Sequence, residues 1–257
     1  MNSELKITTP LVSVEWLQEH LNHPDLVVLN ATIPKITEVG SNLKDTQIPS
    51  TRFFDIKNKF SNVADSFPSA FPSEKQFESE ARNLGIHKNS TIVVYDEKGI
   101  YSSPRAWWLF KAFGFNNVAV LNGGFPAWEK AGFKTEVKQN HQTEKGDFQA
   151  KLKPQYMQFF DDVKKASQNE THLIIDARSE ARFKSLEKEP RKGLRSGTIP
   201  NSVNLPFKDL MNDDGLLKPE LQLEQLFQSL AEINQPIIFS CGSGITACVL
   251  ALGAELS

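Results

Sequence analysis

Three segments of this chain occur twice in the same order, and that duplication constrains the fold more than any other feature. LVVLNAT at Leu26–Thr32 corresponds to LIIDAR at Leu173–Arg178, QIPSTRFFDI at Gln47–Ile56 to TIPNSVNLPF at Thr198–Phe207, and STIVVYD at Ser90–Asp96 to QPIIFSC at Gln235–Cys241. The repeated runs are short, rich in Val, Ile, Leu and Phe, and separated by segments of helical periodicity. Alternating strands and helices predict α/β units with parallel sheets, so the chain reads as two similar domains packed face to face.

In the first half, Thr9–Leu21 reads as a cap and amphipathic helix, with Leu26–Leu29 and Arg52–Ile56 as strands. Ile36–Gln47 reads as a polar loop and Phe60–Pro72 as a long surface loop. Ser73, with Gln76 in the capping-box position, opens a helix to Asn83 that Gly85 closes. Thr91–Tyr95 is a strong strand, followed by a loop from Asp96 to Ser103 and a helix that starts at Pro104 and ends at Gly114. Trp107 and Trp108 on that helix are assigned to packing. Val118–Leu121 and a helix through Trp128 complete the half. Lys134–Pro154 is charged and reads as an exposed linker. The second half then gives a helix around Val163–Ala166, strands at His172–Asp176 and Val203–Leu205, a helix over Leu221–Ile233, a strand at Ile237–Ser240 and a helix over Ile245–Leu252. The expected division is a first, non-catalytic domain at 1–136, a linker at 137–154, and a catalytic domain at 155–257. The first half continues with a strand and helix, Val118–Gly132, that have no equivalent before Ser257. The second domain is therefore expected to lack its last strand–helix unit, which would leave the strand ending at Cys241 at an edge and weaken the fold.

The totals exclude several functional classes. Lys and Arg number 29 against 31 Asp and Glu, a net charge of −2, which offers nothing to nucleic acid or an anionic membrane. Two cysteines exclude a disulfide framework and fit a reducing compartment. MNSELKITTP has no basic-then-apolar leader pattern, and no apolar run approaches the roughly 20 residues of a membrane span. A cytoplasmic location is expected. The five histidines form no metal-ligand grouping.

The chemistry concentrates at Pro236–Leu256, a strand, a glycine-rich turn and a helix, with Cys241 at the turn. The amides of Gly242, Ser243, Gly244 and Ile245 are expected to curl round the sulfur in front of a helix N-terminus. A cradle of that kind holds an anion and favours a thiolate. Cys248, inside the apolar helical run, is assigned to packing. The stretch between Asp176 and Gly197 adds Arg178, Arg182, Arg191 and Arg195 with Lys184, Lys188 and Lys192. It follows a strand C-terminus, where open α/β sheets place ligands, and arginine grips a carboxylate or sulfonate through paired N–H groups. The reading is a small-anion pocket with a sulfur nucleophile at its floor. Cysteine phosphatases require an Arg six residues after the Cys; that position is Ala247, which argues against phosphoryl transfer.

CGSGITA, preceded by RF, EPR and GTIPNSVNLP, together with IVVYD, PRAWWLFKAFG and VAVLNGGFPAW in the first half, resembles two-domain rhodanese-type sulfurtransferases from about Leu11 onward. The CGSGIT loop resembles the 3-mercaptopyruvate branch, whereas thiosulfate enzymes usually carry Cys-Arg-Lys-Gly. The resemblance implies Cys241 as the persulfide-forming nucleophile, Arg182 and Arg191 as the substrate-binding arginines, and Gly242, Ser243, Gly244, Ile245 and Thr246 as the loop around the sulfur. It implies a small anionic sulfur donor, a thiol acceptor such as thioredoxin or a low-molecular-weight thiol, and no metal or organic cofactor. Thiosulfate as donor, or a persulfide carrier without turnover, are the alternatives. The sequence departs from the branch in the first domain, where SNVADSFPSAFP has no His and Ser69 stands about where one would fall, and at Gly197–Asn201, where GTIPN replaces Gly-His-Ile-Pro-Gly.

Overall fold

The computed structural model describes residues 5–33, 44–191, 193–232 and 235–257. Positions 36–43 of the polar loop, Lys192, and Ile233 at the end of an expected helix lie outside the described residues.

The first domain runs β1 (Leu11–Val12), α1 (Val14–His20), β2 (Leu26–Asn30), β3 (Thr46–Gln47), β4 (Arg52–Phe53), α2 (Glu74–Asn83), β5 (Thr91–Tyr95), α3 (Ser103–Ala112), β6 (Val118–Leu121), α4 (Gly124–Lys130) and β7 (Glu136–Val137). Its main sheet is parallel, in the order β1-β6-β5-β2-β4. Central strands of such a sheet are covered on both faces and so carry unbroken apolar runs. Val27, Leu29, Ile92, Val94, Val118 and Val120 face α2 and α3, while Val28, Val93, Tyr95, Ala119 and Leu121 face α1 and α4. Ser13 and Ser73 cap α1 and α2 by accepting the N–H groups of Trp16 and Gln76. The Gln76 amide does not close a capping box; it donates to Lys59 O and Ser61 O, tying down the start of the long loop. Phe60 and Phe71 anchor that loop, stacking on Phe54 and Phe113 at centroid distances of 3.6 and 5.1 Å. The expected surface loop is thus pinned by a buried aromatic ring at one end and a half-buried one at the other.

The second domain runs α5 (Phe160–Asn169), β8 (Leu173–Asp176), α6 (Glu180–Phe183), β9 (Ser202–Asn204), α7 (Glu220–Gln228), β10 (Ile237–Ser240) and α8 (Ala247–Leu256). Its described strands form a parallel sheet in the order β10-β8-β9, repeating β5-β2-β4 of the first domain. The sequence duplication is therefore a structural one, and Cys241 and Asp96 follow equivalent strands.

Three further expectations change. The helix expected over Thr9–Leu21 begins only at Val14, because Leu11–Val12 pairs with β6 as β1. The strand at Arg52–Ile56 is only β4, two residues long, because Phe54 and Ile56 turn into the core. The segment expected as an exposed linker is a strap. Gly146 N and Phe148 N donate to Arg82 O and Ile86 O, and Lys151 N and Lys153 N donate to Phe113 O and Ala112 O. Phe148 is fully buried against Phe77, Phe110 and Phe115. Burying one such ring is worth roughly 1.5–3 kcal/mol, enough to hold a charged segment down.

The domains share one apolar core through α3 and α8. Lys111 Nζ meets Glu255 at 2.8 Å across the interface, Leu217 N donates to Asn122 Oδ1 at 3.0 Å, and the rings of Tyr101 and Phe207 lie 6.0 Å apart. These contacts bring the C-terminal ends of β5 and β10 together.

Candidate active site

Strand β10 is held at its C-terminal end by Ala177 N, which donates to Ser240 O at 2.8 Å, so Cys241 leaves the sheet from a fixed point. Cys241 is half-buried. The sequence predicts four amides around its sulfur. Among the described residues one donates to it, Gly244 N at 3.1 Å. Gly244 adopts φ +70°, a conformation open to glycine, and this turn aims its N–H back at the sulfur. The chain then sinks Ile245 into the core, 3% exposed, to start α8. Ser243 and Thr246 are half-buried.

Cys248 lies one step below. Its Sγ–H donates to Gly244 O at 3.3 Å. Burial pushes the Cys248 thiol up to about 12, with Arg105 acting in the opposite direction. It therefore stays protonated and serves as a brace for the loop. Both cysteines are free.

The basic stretch is not a set of free cations. Arg178 donates to both oxygens of Asp176, to Gly197 O and, at 2.7 Å, to Glu189 Oε1. Arg182 Nη2 reaches Glu189 Oε2 at 2.6 Å. Glu189 has a side chain only 5% exposed. Burial works against its charge, but the hydrogen bonds and charges of Arg182 and then Arg178 outweigh this and hold its carboxyl below the ordinary carboxylate range. Burial likewise opposes the charge of Arg178, and Asp176 and then Glu189 more than restore it. Sequence reasoning missed Glu189; the signal available was a lone Glu-Pro step inside an arginine run. Arg178 is thereby a structural clamp, whereas Arg182 and Arg191 face the cysteine loop. Arg191 Nη2 donates to Gly242 O at 2.5 Å. Arg182 Nη2 lies where a side chain on Gly242 would go, 2.9 Å from an ideal Cβ. The structure thus brings together Cys241, Gly242, Gly244, Arg182 and Arg191, and leaves Arg195 exposed.

The first domain contributes from the loop before α3. The Tyr101 hydroxyl is pushed above its usual range by burial, then by the charges of Cys241 and Asp96, while Arg182 opposes them. Tyr101 therefore stands within electrostatic reach of the sulfur. Asp96, the counterpart of Cys241, is fully buried. Its Oδ2 accepts from the amides of Tyr101, Ser102 and Ser103 at 2.9 Å each and from Ser103 Oγ at 2.8 Å. Among the described residues no group of three or more His, Cys, Asp or Glu could hold a metal ion, and no helix is long and apolar enough to cross a membrane.

Comparison with known proteins accords with this geometry. A family model described as a rhodanese-like domain matches residues 13–131 and 159–256. The chain is 36% identical to thiosulfate/3-mercaptopyruvate sulfurtransferase 1, mitochondrial, of Arabidopsis thaliana, covering 98% of this chain and 72% of that protein. It is 34% identical to human 3-mercaptopyruvate sulfurtransferase, covering 96% of this chain and 86% of that protein. The crystal structure of SseA from Escherichia coli, described among 3-mercaptopyruvate sulfotransferases, superposes with a TM-score of 0.84 at 33% identity, covering 96% of this chain and 94% of that one.

Proposed function

The chain belongs to the rhodanese-like domain family, and from that premise we propose that it is a sulfurtransferase that takes sulfur from 3-mercaptopyruvate through a persulfide on Cys241. The observation that carries the reading is the cysteine loop itself: a half-buried sulfur held by Gly244 N–H, in a loop without a cationic side chain, with Arg182 and Arg191 beside it. That arrangement suits a donor whose charge sits on a carboxylate remote from the transferred sulfur. A thiosulfate dianion would gain more from cations in the loop itself.

In the reaction, Arg182 and Arg191 hold the donor carboxylate. The Cys241 thiolate attacks the donor sulfur, the carbon–sulfur bond breaks, and its electron pair leaves on the pyruvate enolate, which takes up a proton. The enzyme keeps Cys241–S–SH. An acceptor thiolate, from thioredoxin or a low-molecular-weight thiol, then attacks the outer sulfur and releases the Cys241 thiolate. The Gly244 amide offsets charge on the sulfur in each step. Catalysis lies in residues 155–257, with 1–136 supplying the opposite wall of the site. Two free thiols suit a cytoplasmic setting, although the Arabidopsis relative is named mitochondrial.

The test is pyruvate release from 3-mercaptopyruvate beside sulfite release from thiosulfate, with Cys241→Ser as control. Pyruvate release that vanishes in the variant is the expected result. Sulfite release alone would move the donor to thiosulfate, and no turnover with either from folded protein would leave a persulfide carrier.

A further inference from the structure

Arg105, on α3 of the first domain, is 3% exposed. Among the described residues it has no acidic partner, which is rare for a buried guanidinium. Its Nη2 donates to Ser69 O at 3.0 Å, its Nη1 to Gly244 O at 3.4 Å across the domain interface, and its Nε has no partner. The guanidinium carbon sits 4.9 Å from the centroid of Trp108. Ser69, whose carbonyl accepts this bond, adopts φ +58°, a conformation that a non-glycine residue seldom takes. Residue Gly244 is thus gripped on both sides: its N–H is on the Cys241 sulfur, and its carbonyl is on Arg105 and Cys248.

We propose that Arg105 is a positioning residue for the reaction: the first domain uses it to fix Gly244 with its N–H on the sulfur and to place a desolvated positive charge behind a loop that has none. The charge of Arg105, which has no carboxylate partner among the described residues, is then offset by the thiolate and persulfide that the loop carries during turnover. This rests on the reading of Cys241 as the nucleophile. Among the described residues, the other charged or titratable groups facing the loop are Arg182 and Arg191 from the basic stretch, Tyr101 with Asp96 behind it from the first domain, and Cys248 from α8.

The experiment follows alkylation of Cys241 by iodoacetamide against pH, read at the peptide level, in the full chain and in Arg105→Met, Arg105→Gln and Arg105→Lys. It runs beside kcat and KM for 3-mercaptopyruvate and far-UV circular dichroism melts. The neutral variants are expected to lower the alkylation rate at neutral pH about tenfold and to lower kcat with KM little changed; Lys recovers most of the rate. A folded neutral variant with a wild-type profile overturns the proposal, and so does a Lys variant impaired as much as Met. Loss of fold in both neutral variants would make Arg105 a structural residue and also overturn it. Alkylation needs no donor, so the outcome is separate from the donor assignment. Failure of the sulfur-transfer reading would instead appear as absent turnover in the unmodified chain.

Discussion

Glu189→Gln tests the least anticipated part of the site. Glu189 accepts from Arg178 at 2.7 Å and from Arg182 at 2.6 Å with its side chain 5% exposed. Removing one member of a fully buried ion pair costs about 3–5 kcal/mol, and an exposed pair contributes about 0–1 kcal/mol. Here Arg178 keeps Asp176, the Arg182 side chain is 22% exposed and can recruit water, and Gln keeps one acceptor oxygen. These features place the loss near 2–3 kcal/mol. For a chain of this size that is a fall in Tm of about 4–12 °C. The melt should be read by far-UV circular dichroism, because Trp16, Trp107, Trp108 and Trp128 all lie in the first domain and their emission would miss the affected half. The pH dependence supplies a second check. The folded state holds Glu189 below its ordinary value of 4.5, so on acidification the unfolded chain takes up that proton first. The contribution is therefore complete above that value and is lost as pH falls through the folded one. The gap between wild type and variant should hold from neutrality down to about pH 4.5 and narrow below it. An unchanged Tm at neutral pH, or a gap that stays constant on acidification, would refute the network.

Three further outcomes follow from the same geometry. Native protein should show one thiol reactive toward an aromatic disulfide at about pH 8, and two in denaturant, because burial keeps the Cys248 thiol protonated up to about 12; two fast thiols in the native state would contradict its bracing role. Gly242→Ala places a Cβ 2.9 Å from Arg182 Nη2, the mobile end of a side chain, so the arginine moves and the backbone does not. KM for 3-mercaptopyruvate should rise about tenfold, equivalent to about 1.4 kcal/mol, with Tm nearly unchanged; steady-state kinetics and a melt check both halves of that statement. Asp96→Ala leaves four backbone amides, those of Lys98, Tyr101, Ser102 and Ser103, without their acceptor, at about 1–3 kcal/mol each. It should shift the emission of Trp107 and Trp108 to the red and lower the first-domain melt sharply.

Features that many residues specify together were readable from the sequence. Thr91–Tyr95 and Val118–Leu121 are strands because every residue is apolar or β-branched and both faces are covered. The Ser73 cap and the Cys241 turn were legible because small polar residues and glycines there have few alternative uses. What escaped depends on single residues or on very short elements. β3 and β7 are two residues each and pair only because the strap returns across the domain. Helix α6 is four residues inside a charge run, with Ser179 as cap. Phe148 is one ring among polar neighbours. Arg105 reaches Gly244 over 139 residues of sequence, and no local pattern encodes a contact of that kind.

The duplication also explains why the loop suits a sulfur anion. In the first domain, the position after the equivalent strand carries Asp96, and three successive amides with a hydroxyl converge on one carboxylate oxygen. That is what a strand, a tight loop and a helix start provide physically: several N–H groups with no helical partner, aimed at one point. The first domain fills that point with its own carboxylate. In the second domain the same position carries Cys241, held in the free structure by the Gly244 amide. On the proposed function, that amide meets the negative charge that develops on the sulfur. One copy thus shows the loop saturated and the other shows it poised. On the proposed function, the difference between the halves reduces to a fixed carboxylate in one and a nucleophilic thiol in the other.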